Sequence, residues 1–205
     1  MYSLKNEKGG EAMTEAEKNI LRKFPHKTIS IGVTEDGRGR SIPVPWQMGC
    51  NAYNMRTPDI WLSPAELSDE DLWAELARLR VTGMYIFCPL EDYSFLSRLT
   101  AIQDLAIYKG GALKNLSFLR QMPDWFLLHI EDAVLENLCD LFPAGIRPGM
   151  GSRNVCLSGC TVADPSVPEG TRLSELLILM PEGSSDQERW KAIPCSKFSY
   201  FEYRV

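Results

Sequence analysis

The 205 residues are 44% hydrophobic and 24% charged, enough to bury a core, and no run of 18 apolar residues among them could form a membrane-spanning helix. A formal charge of −5 and a pI near 5.2 argue against nucleic acid as a partner, since the densest basic signal is Arg38-Gly39-Arg40. Six cysteines (Cys50, Cys88, Cys139, Cys156, Cys160 and Cys195) behind a polar opening stretch read as free thiols in a cytoplasmic chain, with no ligand spacing for a metal and no motif for a cofactor.

In chain order, residues 1–13 are a flexible polar lead, with Met13 an alternative start. Thr14-Glu15-Ala16-Glu17 fits a capping box, and Ala16, Ile20, Leu21 and Phe24 follow at helical spacing. Ile29, Gly32 and Val33 before Asp36-Gly37, with Ile42 and Val44 after it, predict a β-hairpin. Residues 14–56 are therefore expected to form an N-terminal helix-hairpin cap. A second helix is expected from Ser63-Pro64-Ala65-Glu66 or from Ser68, carrying Leu72, Trp73, Leu76 and Leu79 on one face.

From 57 to 205 a pattern recurs: apolar, two residues, apolar, one residue, apolar, then a small or turn-forming residue three places on. It runs through Ile60-Leu62-Ala65, Val81-Met84-Ile86-Pro89, Ile102-Leu105-Ile107-Gly110, Trp125-Leu128-Ile130-Ala133, Val155-Leu157-Cys160, Leu173-Leu176-Ile178-Pro181 and Cys195-Phe198-Tyr200. The last apolar positions, 62, 86, 107, 130, 157, 178 and 200, are spaced by 24, 21, 23, 27, 21 and 22 residues. Between them more apolar residues fall every third place: Leu96, Leu99, Ile102; Leu113, Leu116, Leu119, Met122; Leu135, Leu138, Leu141. A spacing of three suits short 3-10 turns with one side facing inward.

This period and pattern, clearest over 90–142, resemble the internalin-like class of leucine-rich repeats. The resemblance covers 60–203 and implies an α/β leucine-rich-repeat solenoid of parallel strands with short helical or 3-10 convex turns. Strands are expected near 60–62, 84–87, 105–108, 128–131, 155–158, 176–179 and 198–201, each parallel to the next. One feature departs from the family: the corner asparagine is replaced by Pro89, Gly110, Ala133, Cys160 and Pro181, so the family's asparagine hydrogen-bond ladder does not carry over.

Residues between the apolar strand positions should face a concave side and stack in columns at the inter-strand spacing. Trp61, Tyr85, Phe87 and Tyr108, with His129 and Glu131 beside them, form the candidate interface for an unidentified protein partner, because aromatic clusters with a polar rim anchor interfaces. The competing reading is that the N-terminal cap folds over this face and buries the aromatics as core. His129 and Cys156 fall in one column, so a thiol enzyme is the alternative to a non-enzymatic binding module. A self-assembling structural subunit is a third reading. The final strand carries Phe198, Tyr200, Phe201 and Tyr203; its edge is expected to pair with a second copy in a homodimer or with the partner, unless the 182–194 loop covers it.

Overall fold

Parallel strands in sheets, joined by short helical segments, make this an α/β fold. The computed structural model describes residues 28–40, 58–113, 116, 119, 127–141, 154–171, 173–184 and 187–204. The chain divides into two units, Met1–Cys88 and Pro89–Val205.

In the first unit strand β1 (Thr28–Val33) lies between β2 (Ile60–Leu62) and β3 (Arg80–Ile86) and is parallel to both. Ile29, Ile31 and Val33 are β-branched, and every residue from 29 to 33 is buried, as expected of a parallel strand covered on both faces. Two glycines permit close approach. A Cβ on Gly32 would sit 2.5 Å from the indole of Trp61, its register partner, and a Cβ on Gly83 would sit 2.9 Å from the Ser30 side chain, just past a register shift. After β2 comes a 3-10 turn, Pro64–Ser68, and a helix, Glu70–Leu76, in the place the sequence assigns to its second helix. Buried Glu66 accepts from the Ser63 N–H at 2.7 Å and the Ser63 hydroxyl at 2.9 Å. Asp69 caps the helix by accepting from the N–H groups of Asp71 and Leu72 at 2.9 and 3.1 Å. Leu72, Trp73 and Leu76 are the buried face.

The helix-hairpin cap is not supported. A hairpin needs one free edge of β1 for its return strand, and both edges carry parallel partners. The helix expected over Ala16–Phe24 and the return arm Ile42–Val44 lie outside the described residues. The 60–62 strand is also not paired with the next repeat strand as expected; its parallel partner is β1.

In the second unit β4 (Asp104–Ile107), β6 (Leu127–Glu131), β8 (Asn154–Ser158), β10 (Leu173–Pro181) and β11 (Cys195–Tyr203) are neighbours, each parallel to the next. Register aligns the repeat residues into two ladders: Leu105-Leu128-Val155-Leu176-Phe198 and Ile107-Ile130-Leu157-Ile178-Tyr200. A second parallel sheet holds β5 (Gly111–Leu113), β7 (Ala133–Asn137) and β9 (Thr161–Asp164), with Leu113, Leu135 and Val162 in one buried row. The expected core residues Leu105, Ile107, Leu116, Leu119, Leu128 and Ile130 are all buried.

The three-residue leucine spacing corresponds to a run of 3-10 turns. Leu96, Leu99 and Ile102 donate in sequence to the carbonyls of Tyr93, Leu96 and Leu99, and Leu141 donates to Leu138. Each turn brings the next apolar side chain inward. Corners between the two sheets are made by a left-handed residue followed by a small one. Lys109, Asp132 and Gly159 have φ of 55°, 50° and 59°, ahead of Gly110, Ala133 and Cys160.

Candidate functional site

In the first unit Trp61, Tyr85 and Phe87 gather beside β1. Trp61 lies across Gly32 and meets Phe87 with ring centroids 5.7 Å apart. The turn after β1 closes on the same indole, because a Cβ on Gly39 would stand 3.1 Å from Trp61 Nε1. That turn is held by Thr34, whose hydroxyl donates to the Arg38 carbonyl at 3.0 Å, and by Asp36, which accepts from the Arg38 N–H at 3.1 Å. The Arg38 N–H first, and the Thr34 hydroxyl after it, hold the Asp36 carboxyl below its usual range. Trp61 is buried and Tyr85 is only 1% exposed, whereas Phe87 keeps partial exposure. Cys88, beside them, is buried, and burial pushes its thiol pKa up.

In the second unit the rings of Tyr108 and His129 meet at a tilt of 42° with centroids 5.1 Å apart. His129 is 2% exposed, and its Nε2 lies 3.3 Å from the carboxylate of half-exposed Glu131. Its Nδ1 is buried with no hydrogen-bond partner. Cys156 is the direct register neighbour of His129, as the column reading expects, and it too is buried. The imidazole and thiol are thus adjacent but sealed from solvent, and a nucleophile needs access to its substrate.

The interface reading requires Trp61, Tyr85 and Tyr108 to be partly exposed, and none of them is. Alternation along a strand predicts one inward and one outward row, which holds only when one face of the sheet is open. Here Leu127–Ile130, Asn154–Leu157 and Leu176–Met180 are buried without interruption, so both faces are covered. The six candidates fall in two places: Trp61, Tyr85 and Phe87 in the first unit, Tyr108, His129 and Glu131 in the second.

Sequence reasoning missed the corner around Cys160. Its Sγ lies 3.4 Å from the carbonyls of Ile130 and Ser158, and burial pushes its pKa up to about 12, keeping it a donor. A thiol therefore bonds to backbone at a corner where the resembled family has asparagine. A Cβ on Gly159 would meet the Asp132 carboxylate at 2.7 Å and the Tyr203 hydroxyl at 3.0 Å, so those groups converge over the bare glycine. Burial first, then Asp132 and Glu131, raise the Tyr203 pKa. The available signal was an Asp and a Gly one residue before the small corner residue, both types that tolerate left-handed backbone.

The most open strand is β11. Among the described residues it stands at the end of its sheet and pairs with β10 alone, and none of its nine residues is buried. Phe201 is 41% exposed; with Val134 at 56% it is one of two exposed large apolar residues among those described. In the preceding helix, Gln187–Lys191, Arg189 donates to the Ala163 carbonyl.

Among the described residues no group of three or more His, Cys, Asp or Glu is placed to hold a metal, and no helix is long and apolar enough to cross a membrane. No family model, curated protein or solved structure matches the chain.

Proposed function

We propose that this chain is a non-enzymatic protein-interaction module built as a leucine-rich-repeat solenoid, and that its partner adds a strand to the β11 edge. The solenoid reading is supported in the second unit by five strands that follow chain order, each parallel to the next, and by a second sheet that takes one strand from each of three successive repeats. The observation that carries the binding reading is β11 itself, a nine-residue edge strand with no buried residue beside a strand, β10, with an unbroken buried run. Such an edge is a template for an extended segment: the main chain supplies hydrogen bonds and alternate side chains supply choice of partner.

The aromatic cluster supports a binding role less well, because Tyr85, Tyr108 and His129 have almost no surface to offer. Phe87 and Glu131 retain some and would serve only as accessory contacts. A thiol enzyme rests on the His129–Cys156 adjacency alone, and the burial of both groups weighs against it. Among the described residues Cys88, Cys156 and Cys160 are buried and form no disulfide, which is consistent with a reducing, cytoplasmic setting.

A photo-crosslinking residue placed at Phe201, compared with one at exposed Val134, tests this. Adducts to protein formed in cells at 201 and not at 134 are expected. Equal yields at both positions, or none at 201, would remove β11 as the binding site.

A further inference from the structure

We infer that the strand added to β11 is β11 of a second copy, antiparallel to the first, with the two-fold axis passing through Ser199. This rests on the reading of β11 as the binding edge and names its occupant.

The two apolar ladders of the second unit stop unfinished. Leu105-Leu128-Val155-Leu176 and Ile107-Ile130-Leu157-Ile178 are buried throughout, yet their next members, Phe198 and Tyr200, are only half-buried. One more strand with large side chains at the matching positions would complete both ladders. β11 is such a strand for itself. Antiparallel partners on one face must share parity, so a two-fold axis lies on a residue. Ser199 is the midpoint of Cys195–Tyr203, and only an axis there overlaps the whole strand. In that register Phe198 faces Tyr200 of the second copy, and Tyr200 faces its Phe198, closing both ladders at once. On the other face Lys197 meets the exposed Phe201 of the second copy. At the axis two serines, small and uncharged, stand opposite each other.

Charge disfavours the alternatives. An axis through Lys197 or Glu202 would place like charges face to face, which is destabilising. An axis through Tyr200 would set Glu202 against Phe198 and leave the Leu176-Phe198 ladder open. With the axis at Ser199, the two Lys197 residues stand about 13 Å apart along the strand, beyond the Debye length at physiological salt. A closed two-fold pairing also uses up the open edge, as isologous dimers do.

A charge swap at the axis tests this. The purified wild-type chain should sediment as a dimer. Ser199→Lys and Ser199→Glu should each self-associate at least about tenfold more weakly, because identical charges then face each other across the strands. Their circular dichroism should match wild type, since Ser199 is not buried. Mixing the two variants should restore a dimer holding one of each. A wild-type chain that stays monomeric, or variants that still self-associate at wild-type strength, would overturn the pairing. So would a mixture of two folded monomeric variants that fails to combine. A monomeric wild type that still forms crosslinks from position 201 to a different protein would leave the edge as a binding site and remove only the second copy as its occupant.

Discussion

Cys160 holds its corner by keeping its proton. Its thiol reaches two backbone carbonyls from a buried site, and burial lifts its pKa from the ordinary 9.0 to about 12. Between those values the unfolded thiol ionises while the folded one stays protonated, so the folded chain binds more protons and stability falls as pH rises. Below pH 9 the contribution is fully present. Denaturant midpoints from pH 8 to 11 should therefore fall for wild type, with up to about 1.4 kcal/mol per pH unit from this group. Cys160→Ala should show a shallower slope; identical slopes would mean that the thiol is solvated in the folded state. Leu128 tests the core in the same direct way. It is 1% exposed and lies between Leu105 and Val155 in a five-member ladder, and Leu128→Ala should cost about 2–5 kcal/mol through lost transfer energy and a cavity held open by its neighbours. An unchanged unfolding midpoint would contradict the ladder. Gly32→Ala should also destabilise the first unit, because a Cβ there collides with the Trp61 ring. Its readout is tryptophan emission shifted toward that of exposed indole. Leu128 was legible from the repeat pattern alone. Cys160 was not, since an apolar pattern assigns it small size but cannot say that a thiol will donate.

Period decided which elements could be read in advance. The 3-10 turns were legible because Leu96, Leu99 and Ile102 repeat at three, a spacing that matches neither the 3.6 of an α-helix nor the 2 of a strand. The helix Glu70–Leu76 was legible from Leu72, Trp73 and Leu76 behind an acidic first turn. Replacing its cap, Asp69→Ala, should cost about 0.5–2 kcal/mol in an unfolding titration, since two backbone N–H groups lose their acceptor. The β-hairpin was misread because Asp36-Gly37 is a true turn signal that does not say where the chain goes next. Gly37 does take φ +66°, and Asp36 does bind the Arg38 N–H, but β1 is parallel to both of its neighbours. Local turn chemistry sets the direction of a few residues, and strand pairing is settled by what fills each edge. The aromatic face was misread for a related reason. Trp61 and Tyr85 alternate with apolar residues as outward side chains would, yet parallel strands here are covered on both sides.

At the scale of the molecule, the repeat spacing foresaw the parallel order of the strands in the second unit but not how its burial ends. Burial in that sheet does not fade gradually. β8 and β10 are buried along unbroken runs, and β11, their continuation, has no buried residue. The cost of opening a strand locally rises with the apolar surface the opening exposes. Peeling β11 from β10 exposes part of one face of β10 and breaks contacts that include the Lys197–Glu175 pair at 2.5 Å and the exposed Arg204–Glu182 pair, surface ion pairs of small worth. Opening β8 requires breaking both of its ladders and the corner at Gly159 and Cys160. Native-state hydrogen exchange on dilute chain should therefore give slow, globally limited exchange in β6 and β8, with β10 intermediate. In β11 exchange should be fast and weakly dependent on denaturant, as expected of a local opening. Raising the protein concentration should slow β11 selectively, by mass action, if a second copy occupies the edge. Exchange in β11 as slow as in β8 at the lowest concentration would mean that another part of the same chain covers the edge, and the open strand on which the binding proposal rests would then be absent in solution.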